Sequence, residues 1–198
     1  MSLVFPALDY PVVTHGGEAD WHFPTAAEQW PAVVGDWLLD PNSLTAKLKQ
    51  HSQQFAVQVL GQREAPLLGN EARWLGEIAG GVVREVILWC DEQPWVFARS
   101  VFPLQALAAT KLQLESLGDK PLGEHLFNQP DLRRSAVEVS QFSPDSKVGK
   151  LHQQLGFSAQ PLWGRRSCFR AAEQQLLVAE VFIGASPLAK HYRETHHV

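Results

Sequence analysis

Apolar and polar positions alternate most clearly in two regions of the chain, and each reads as a pair of strands joined by a tight turn. Residues 82–91 and 94–102 form the first pair, joined across Glu92-Gln93. Residues 163–171 and 176–183 form the second, with 172–175 between them. Alternation at Phe55, Val57 and Val59 predicts a further strand over 54–61, and 135–142 reads as another. Helical spacing begins near Ala26 and puts Trp30, Val33, Val34, Trp37 and Leu38 on one face, with Pro31 tolerated in the first turn. Asp40-Pro41-Asn42-Ser43 breaks this helix, and Ser43 or Asn42 caps a second one through about Gln50. Residues 104–117 predict a helix stopped by Gly118, and 121–127 a short turn or helical piece. The connection 143–161 holds a helical turn around 150–154. Three stretches lack a period: the lead-in 1–24, the segment 64–81 with Pro66, Gly69 and Gly76, and a polar tail from Ser186 that reads as frayed. Hairpins without β-α-β alternation argue an α+β fold, a single antiparallel sheet with helices on one side.

Composition narrows the function classes. A chain of 198 residues with 45% hydrophobic and 19% charged residues can bury a core as one domain over 1–198, counting 1–24 and 189–198 as its extensions. A net charge of −4 without a basic stripe argues against nucleic-acid binding. Cys90 and Cys168 each sit in an apolar strand and read as buried reduced thiols, not as a disulfide or zinc set. The first ten residues carry no Lys or Arg, and no run approaches the ~18 apolar residues of a membrane span. A soluble cytoplasmic protein is therefore expected, and a monomer, because no long apolar stripe is left once the core is assigned. No HxxxH pair, Gly-rich phosphate loop or GxSxG elbow occurs, so no metal or other cofactor is expected.

The informative residues are charges within apolar strands. Arg84 shares a face with Val86, Leu88 and Cys90, and Glu180 shares one with Leu176, Val178 and Phe182. If those faces are buried, each charge needs a partner or a ligand. A structural ion pair or a solvent-facing position is the alternative, and parity alone leaves both readings open. Arg99 and Glu138 stand in the same position.

Several segments in order resemble the bacterial chorismate pyruvate-lyase family. They are Asp36-Trp37-Leu38-Leu39 with Ser43-Leu44-Thr45; Arg84-Glu85-Val86-Ile87-Leu88; Gln93-Pro94-Trp95; Pro121-Leu122-Gly123 with Leu126-Phe127; Trp163-Gly164-Arg165-Arg166-Ser167; and Ala185-Ser186-Pro187-Leu188. The resemblance spans roughly residues 30 to 190. It implies one antiparallel sheet with helices packed on it and two flaps over a buried ligand. It implies that Arg84 binds the ring carboxylate of chorismate, helped by the backbone amide of Leu122. It places Glu180 on the ring hydroxyl and a backbone contact from the helical flap at Leu44. The implied reaction splits chorismate into 4-hydroxybenzoate and pyruvate without a cofactor, opens ubiquinone synthesis and is strongly inhibited by its product. Arg99, Arg165 or Arg166 is then a candidate for the second carboxylate. The competing reading is a non-catalytic module on the same fold that binds 4-hydroxybenzoate or another effector.

Overall fold

The computed structural model describes residues 4–8, 19–26, 28–76, 78, 80–107, 112, 114 and 117–196. Two short helices come first, α1 (Ala32–Leu38) and α2 (Leu44–Gln50). Pro31 precedes the first helical residue, so the helix starts later than its apolar spacing suggests. Ser43 caps α2, its hydroxyl accepting from the amide of Ala46 at 3.3 Å. Next come β1 (Phe55–Ala65), α3 (Gly69–Leu75), β2 (Gly81–Cys90), β3 (Gln93–Pro103), α4 (Leu104–Leu107) and α5 (Leu122–Phe127). The far half holds β4 (Arg133–Arg134), β5 (Glu138–Phe142), α6 (Lys147–Gln154), β6 (Leu162–Ala171), β7 (Gln174–Phe182) and α7 (Pro187–His196).

All strand pairs are antiparallel, in the order β1-β2-β3-β7-β6-β4, with β5 also on β6. Both predicted hairpins are present, but the turn residues are Asp91-Glu92 and Ala172-Glu173, all four at positive φ. This left-handed pair matches strand twist, and Asp91 stabilises it by accepting from the amides of Gln53 and Gln54, each at 2.8 Å.

Three sequence expectations need correction. The sheet is covered on both faces, not one, which is why all ten residues of β2 are buried. Helices α1 and α2 pack on one face, and α4 and α5 extend that layer. Helices α3 and α6 cover the other. Segment 64–81 contains the helix α3, too short and polar to show a period. The tail is helical through His196, anchored by buried Leu188 and Ala189. Of the helix predicted over 104–117, α4 is its start, and 108–111, 113, 115 and 116 lie outside the described residues. Cys90 and Cys168 are buried and free, as expected.

Candidate functional site

Register sorts the charged strand residues onto opposite faces of the sheet. Gln62, Arg84, Ser100, Val178 and Ser167 form one row across β1, β2, β3, β7 and β6. The next row on that face is Val86, Ala98, Glu180 and Arg165. Strands spaced by about 4.8 Å, with about 3.4 Å per residue along each, put the Cα atoms of Arg84 and Glu180 roughly 12 Å apart. The side chains between them are Val86, Ala98, Ser100 and Val178, and Ala98 is the smallest. A cavity occupies this space, lined also by Val57, Leu88, Thr45, Lys120 and Leu122.

Arg84 is 3% exposed. It donates to Gln62 Oε1 at 3.2 Å and to the carbonyls of Gly118 at 2.7 Å and Lys120 at 3.4 Å. None of these acceptors is charged. Burial pulls the guanidinium below its ordinary pKa, and attraction to Asp119 opposes this without cancelling it. A desolvated cation with neutral partners is what an anionic ligand completes. Gln62 reaches this face only because β1 bulges between Val59 and Gly61, which reverses the alternation of every residue beyond.

Glu180 stands at the other end. Its Oε2 accepts from Arg165 Nε at 2.8 Å, with Arg165 1% and Glu180 16% exposed. Arg165 also donates to the carbonyls of Trp37 at 3.1 Å and Asp40 at 2.9 Å. Arg134 donates to the carbonyls of Asp40, Pro41 and Asn42 and to Ser167 Oγ. Two guanidiniums thus hold the end of α1 and the turn into α2, where carbonyls lack helical partners. Burial and the charge of Arg165 depress the pKa of Arg134, against the attraction of Glu180 and Asp40. The carboxylate of Glu180 and the position of the α1–α2 pair are therefore coupled through Arg165.

The roof has two parts. Gly118, at φ +52°, turns the chain so that its carbonyl meets Arg84 and Pro121-Leu122-Gly123 comes down over the cavity. Gly123 faces Thr45 of α2 so closely that a Cβ there would lie 3.0 Å from Thr45 Oγ1. A Lys49–Glu124 contact at 2.6 Å joins α2 to α5 at the surface, where such a pair is worth at most about 1 kcal/mol.

Of the residues predicted from sequence, Arg84, Leu122 and Glu180 line one cavity. Leu44 does not: its side chain packs in the core with Val34 and Trp37, and its neighbour Thr45 meets the cavity. Arg165 is on this face. Arg99 and Arg166 are on the other, paired with Glu71 and Glu85 and with Glu138 respectively. Gln62, Ser100, Thr45, Lys120 and Arg134 were not read from sequence. Lys120 adjoins Pro121 and was open to discovery, whereas Gln62 and Arg134 depend on a bulge and on contacts about 93 residues away. Among the described residues, no group of three or more His, Cys, Asp or Glu side chains is placed to hold a metal ion, and no helix is long and apolar enough to cross a membrane.

Comparison with known proteins adds to this geometry. Among solved structures, the effector domain of PhnF from Mycobacterium smegmatis superposes with a TM-score of 0.51 at 14% identity, over 74% of this chain and 91% of that one. Gene product SA0254 from Staphylococcus aureus gives 0.52 at 12% identity, over 78% and 92%. At these identities the likeness concerns the fold. A protein of Idiomarina loihiensis named probable chorismate pyruvate-lyase is 44% identical over 169 residues, 85% of this chain and 86% of its own. One of the same name from Pseudoalteromonas translucida is 37% identical over 166 residues, 83% and 92%. The family described as chorismate lyase matches residues 17–193, and the chain belongs to that family.

Proposed function

We propose that the Arg84 cavity converts chorismate into 4-hydroxybenzoate and pyruvate, the first committed step of ubiquinone biosynthesis. The observation that carries this reading is Arg84 itself, a buried guanidinium whose described acceptors are all neutral, at one end of a cavity that has Glu180 at the other. The spacing suits a ring with a carboxylate at one end and a hydroxyl para to it. In this reading the ring carboxylate takes a forked pair of hydrogen bonds from Arg84. The amide of Leu122, in the first turn of α5, has no intrahelical acceptor and adds a third donor. Leu44 holds the same first-turn position in α2, and its amide is the proposed main-chain contact from the helical flap.

The chemistry needs positioning more than it needs a reagent. The bond from ring carbon to enolpyruvyl oxygen breaks, and the hydrogen on the hydroxyl-bearing carbon leaves. The ring becomes aromatic, and the released enol gains a proton at its methylene to become pyruvate. Electrons balance within the substrate, so no oxidant or reductant enters. Glu180, oriented by Arg165, accepts the ring hydroxyl and polarises the carbon from which hydrogen departs. Lys120 lines the same cavity and supplies the cation for the second carboxylate. Arg99 and Arg166 are ruled out for that part by facing away, and Arg165 is committed to Glu180 and the α1 turn. The lid formed by α2 and the 118–123 segment excludes water and slows product release, so product inhibition is expected.

Turnover tests this directly. Purified protein with chorismate should yield 4-hydroxybenzoate by chromatography and an equal amount of pyruvate by a coupled assay. Both should vanish in Arg84→Ala and fall strongly in Glu180→Ala. Tight, Arg84-dependent binding of 4-hydroxybenzoate with no turnover would favour the second reading, a non-catalytic effector-binding module, for which the fold shared with the PhnF effector domain speaks.

A further inference from the structure

The far face of the sheet carries a row of its own. Glu85, Arg99, Ala179, Arg166 and Glu138 lie side by side across β2, β3, β7, β6 and β5. Four of the five are charged, and the third position, between the two arginines, is held by the small Ala179. Arg99 is met by Glu85 at 2.9 Å and by both oxygens of Glu71 at 2.7 and 3.2 Å. Arg166 is met by Glu138 at 2.7 Å and by Asn70 at 2.9 Å. Above Ala179 opens a second cavity. Phe97, Val101, Leu177 and Val181 make its apolar floor, and the edge-to-face pair Trp21 and Phe142, with centroids 5.6 Å apart, stands at its side. It shares no lining residue with the Arg84 cavity, because Arg84/Glu85 and Ala179/Glu180 point to opposite faces.

One polar atom in this cavity has no match. Glu85 is 2% exposed, Arg99 occupies its Oε1, and Oε2 has no hydrogen-bond partner among the described residues. A buried acceptor in that state favours whatever brings it a hydrogen bond. The charges around it narrow the choice. An anion would meet Glu71 and Glu85, and a cation would meet Arg99, Lys147 and Arg166. The apolar floor asks for a ring. Burial also raises the pKa of Glu85, and a hydroxyl serves either protonation state, donating to the carboxylate or accepting from the acid.

We propose that this cavity is a second ligand site, which takes an uncharged ring compound bearing a hydroxyl, with the hydroxyl on Glu85 Oε2 and the ring over Ala179. The proposal does not depend on the function of the Arg84 cavity. Phenol and benzene are suitable probes on the full chain, followed through ¹³C-labelled methyl groups. Phenol should shift the methyls of Val101, Leu177 and Val181 saturably, in the native protein and equally in Arg84→Ala. Benzene, lacking the hydroxyl, should bind roughly tenfold more weakly. Ala179→Leu should fill the floor and abolish the shifts, and the milder Ala179→Val, checked for a native methyl spectrum, should weaken them. Shifts confined to Val86 and Val178 would place phenol in the first cavity and overturn the proposal. So would equal affinity for benzene, far-face shifts indifferent to Ala179→Val, or no saturable shift at all, which would mean that the cavity holds water only.

Discussion

Replacing Arg84 by Met separates what its guanidinium does for the fold from what it does for a ligand. Without ligand, its described hydrogen bonds run to Gln62 Oε1 and to the carbonyls of Gly118 and Lys120, all on exposed residues that water can satisfy instead. Desolvating a cation costs several kcal/mol, and hydrogen bonds from a charged donor return about 1.5–3 kcal/mol each. The two nearly cancel, and Met restores apolar contact, so the ligand-free variant should match the native protein within about 1–2 kcal/mol. The ligand-bound state differs. A ligand at about 100 times its Kd stabilises the native state by about 2.7 kcal/mol, a rise in Tm of roughly 5–10 °C for a chain of this size. Loss of a buried charge-assisted pair costs about 3 kcal/mol, or roughly 150-fold in Kd. At the same 4-hydroxybenzoate concentration the variant should then gain only about 1 °C. Thermal melts with and without 4-hydroxybenzoate read both quantities. A ligand shift in Arg84→Met equal to the native one would refute the carboxylate assignment. A ligand-free Tm that collapses would make Arg84 a structural residue.

Other perturbations test neighbouring parts of the account. Ala98→Leu puts a branched side chain between Arg84 and Glu180; it should cost about 1–3 kcal/mol in stability from overpacking, while chorismate turnover falls at least about a hundredfold through loss of substrate geometry. His152 is fully buried and neutral, its Nε2–H donating to the Ser158 carbonyl and its Nδ1 accepting from the Gly184 amide. Burial depresses its pKa to about 4, from an ordinary value of 6.5. The unfolded chain binds this proton at higher pH than the folded one, so stability is full above pH 6.5 and declines as pH falls towards about 4, by about 3 kcal/mol. Denaturant titrations across that window should show the decline, and His152→Gln should flatten it. Burial pushes the Cys90 thiol up to about 11, so iodoacetamide at neutral pH should leave Cys90 unmodified until denaturant is added, and rapid labelling of the native protein would contradict its placement.

Strand parity makes much of this legible in the sequence. Arg84 with Val86 and Leu88, and Glu180 with Val178, follow the simple alternation of two residues, and the sheet keeps it. Both hairpins were readable for the same reason, although their turns lack glycine at the positive-φ positions and the turn in each is placed by pairing, not by turn residues. Gln62 was beyond reach because one bulged residue in β1 inverts the parity after Val59. The cover on the far face was missed because α3 and α6 are short and their anchors, such as Glu71 on Arg99 and Val148 against Ile87, are tertiary. The polar tail reads as frayed from composition, yet Leu188 and Ala189 fix α7 in the core, with Gln160 donating to the Ala189 carbonyl. Arg165 and Arg166 show the limit most plainly. Parity says that they diverge, but only the register on β7 says that Arg165 is the one beside Glu180.

The most direct measurement is a crystal structure of the protein with 4-hydroxybenzoate. The ring should lie between Val86, Ala98 and Val178, with its carboxylate forked on Arg84 and the Leu122 amide and its hydroxyl on Glu180. A ligand seated in that cavity with its carboxylate away from Arg84, or bound on the far face alone, would contradict the central claim.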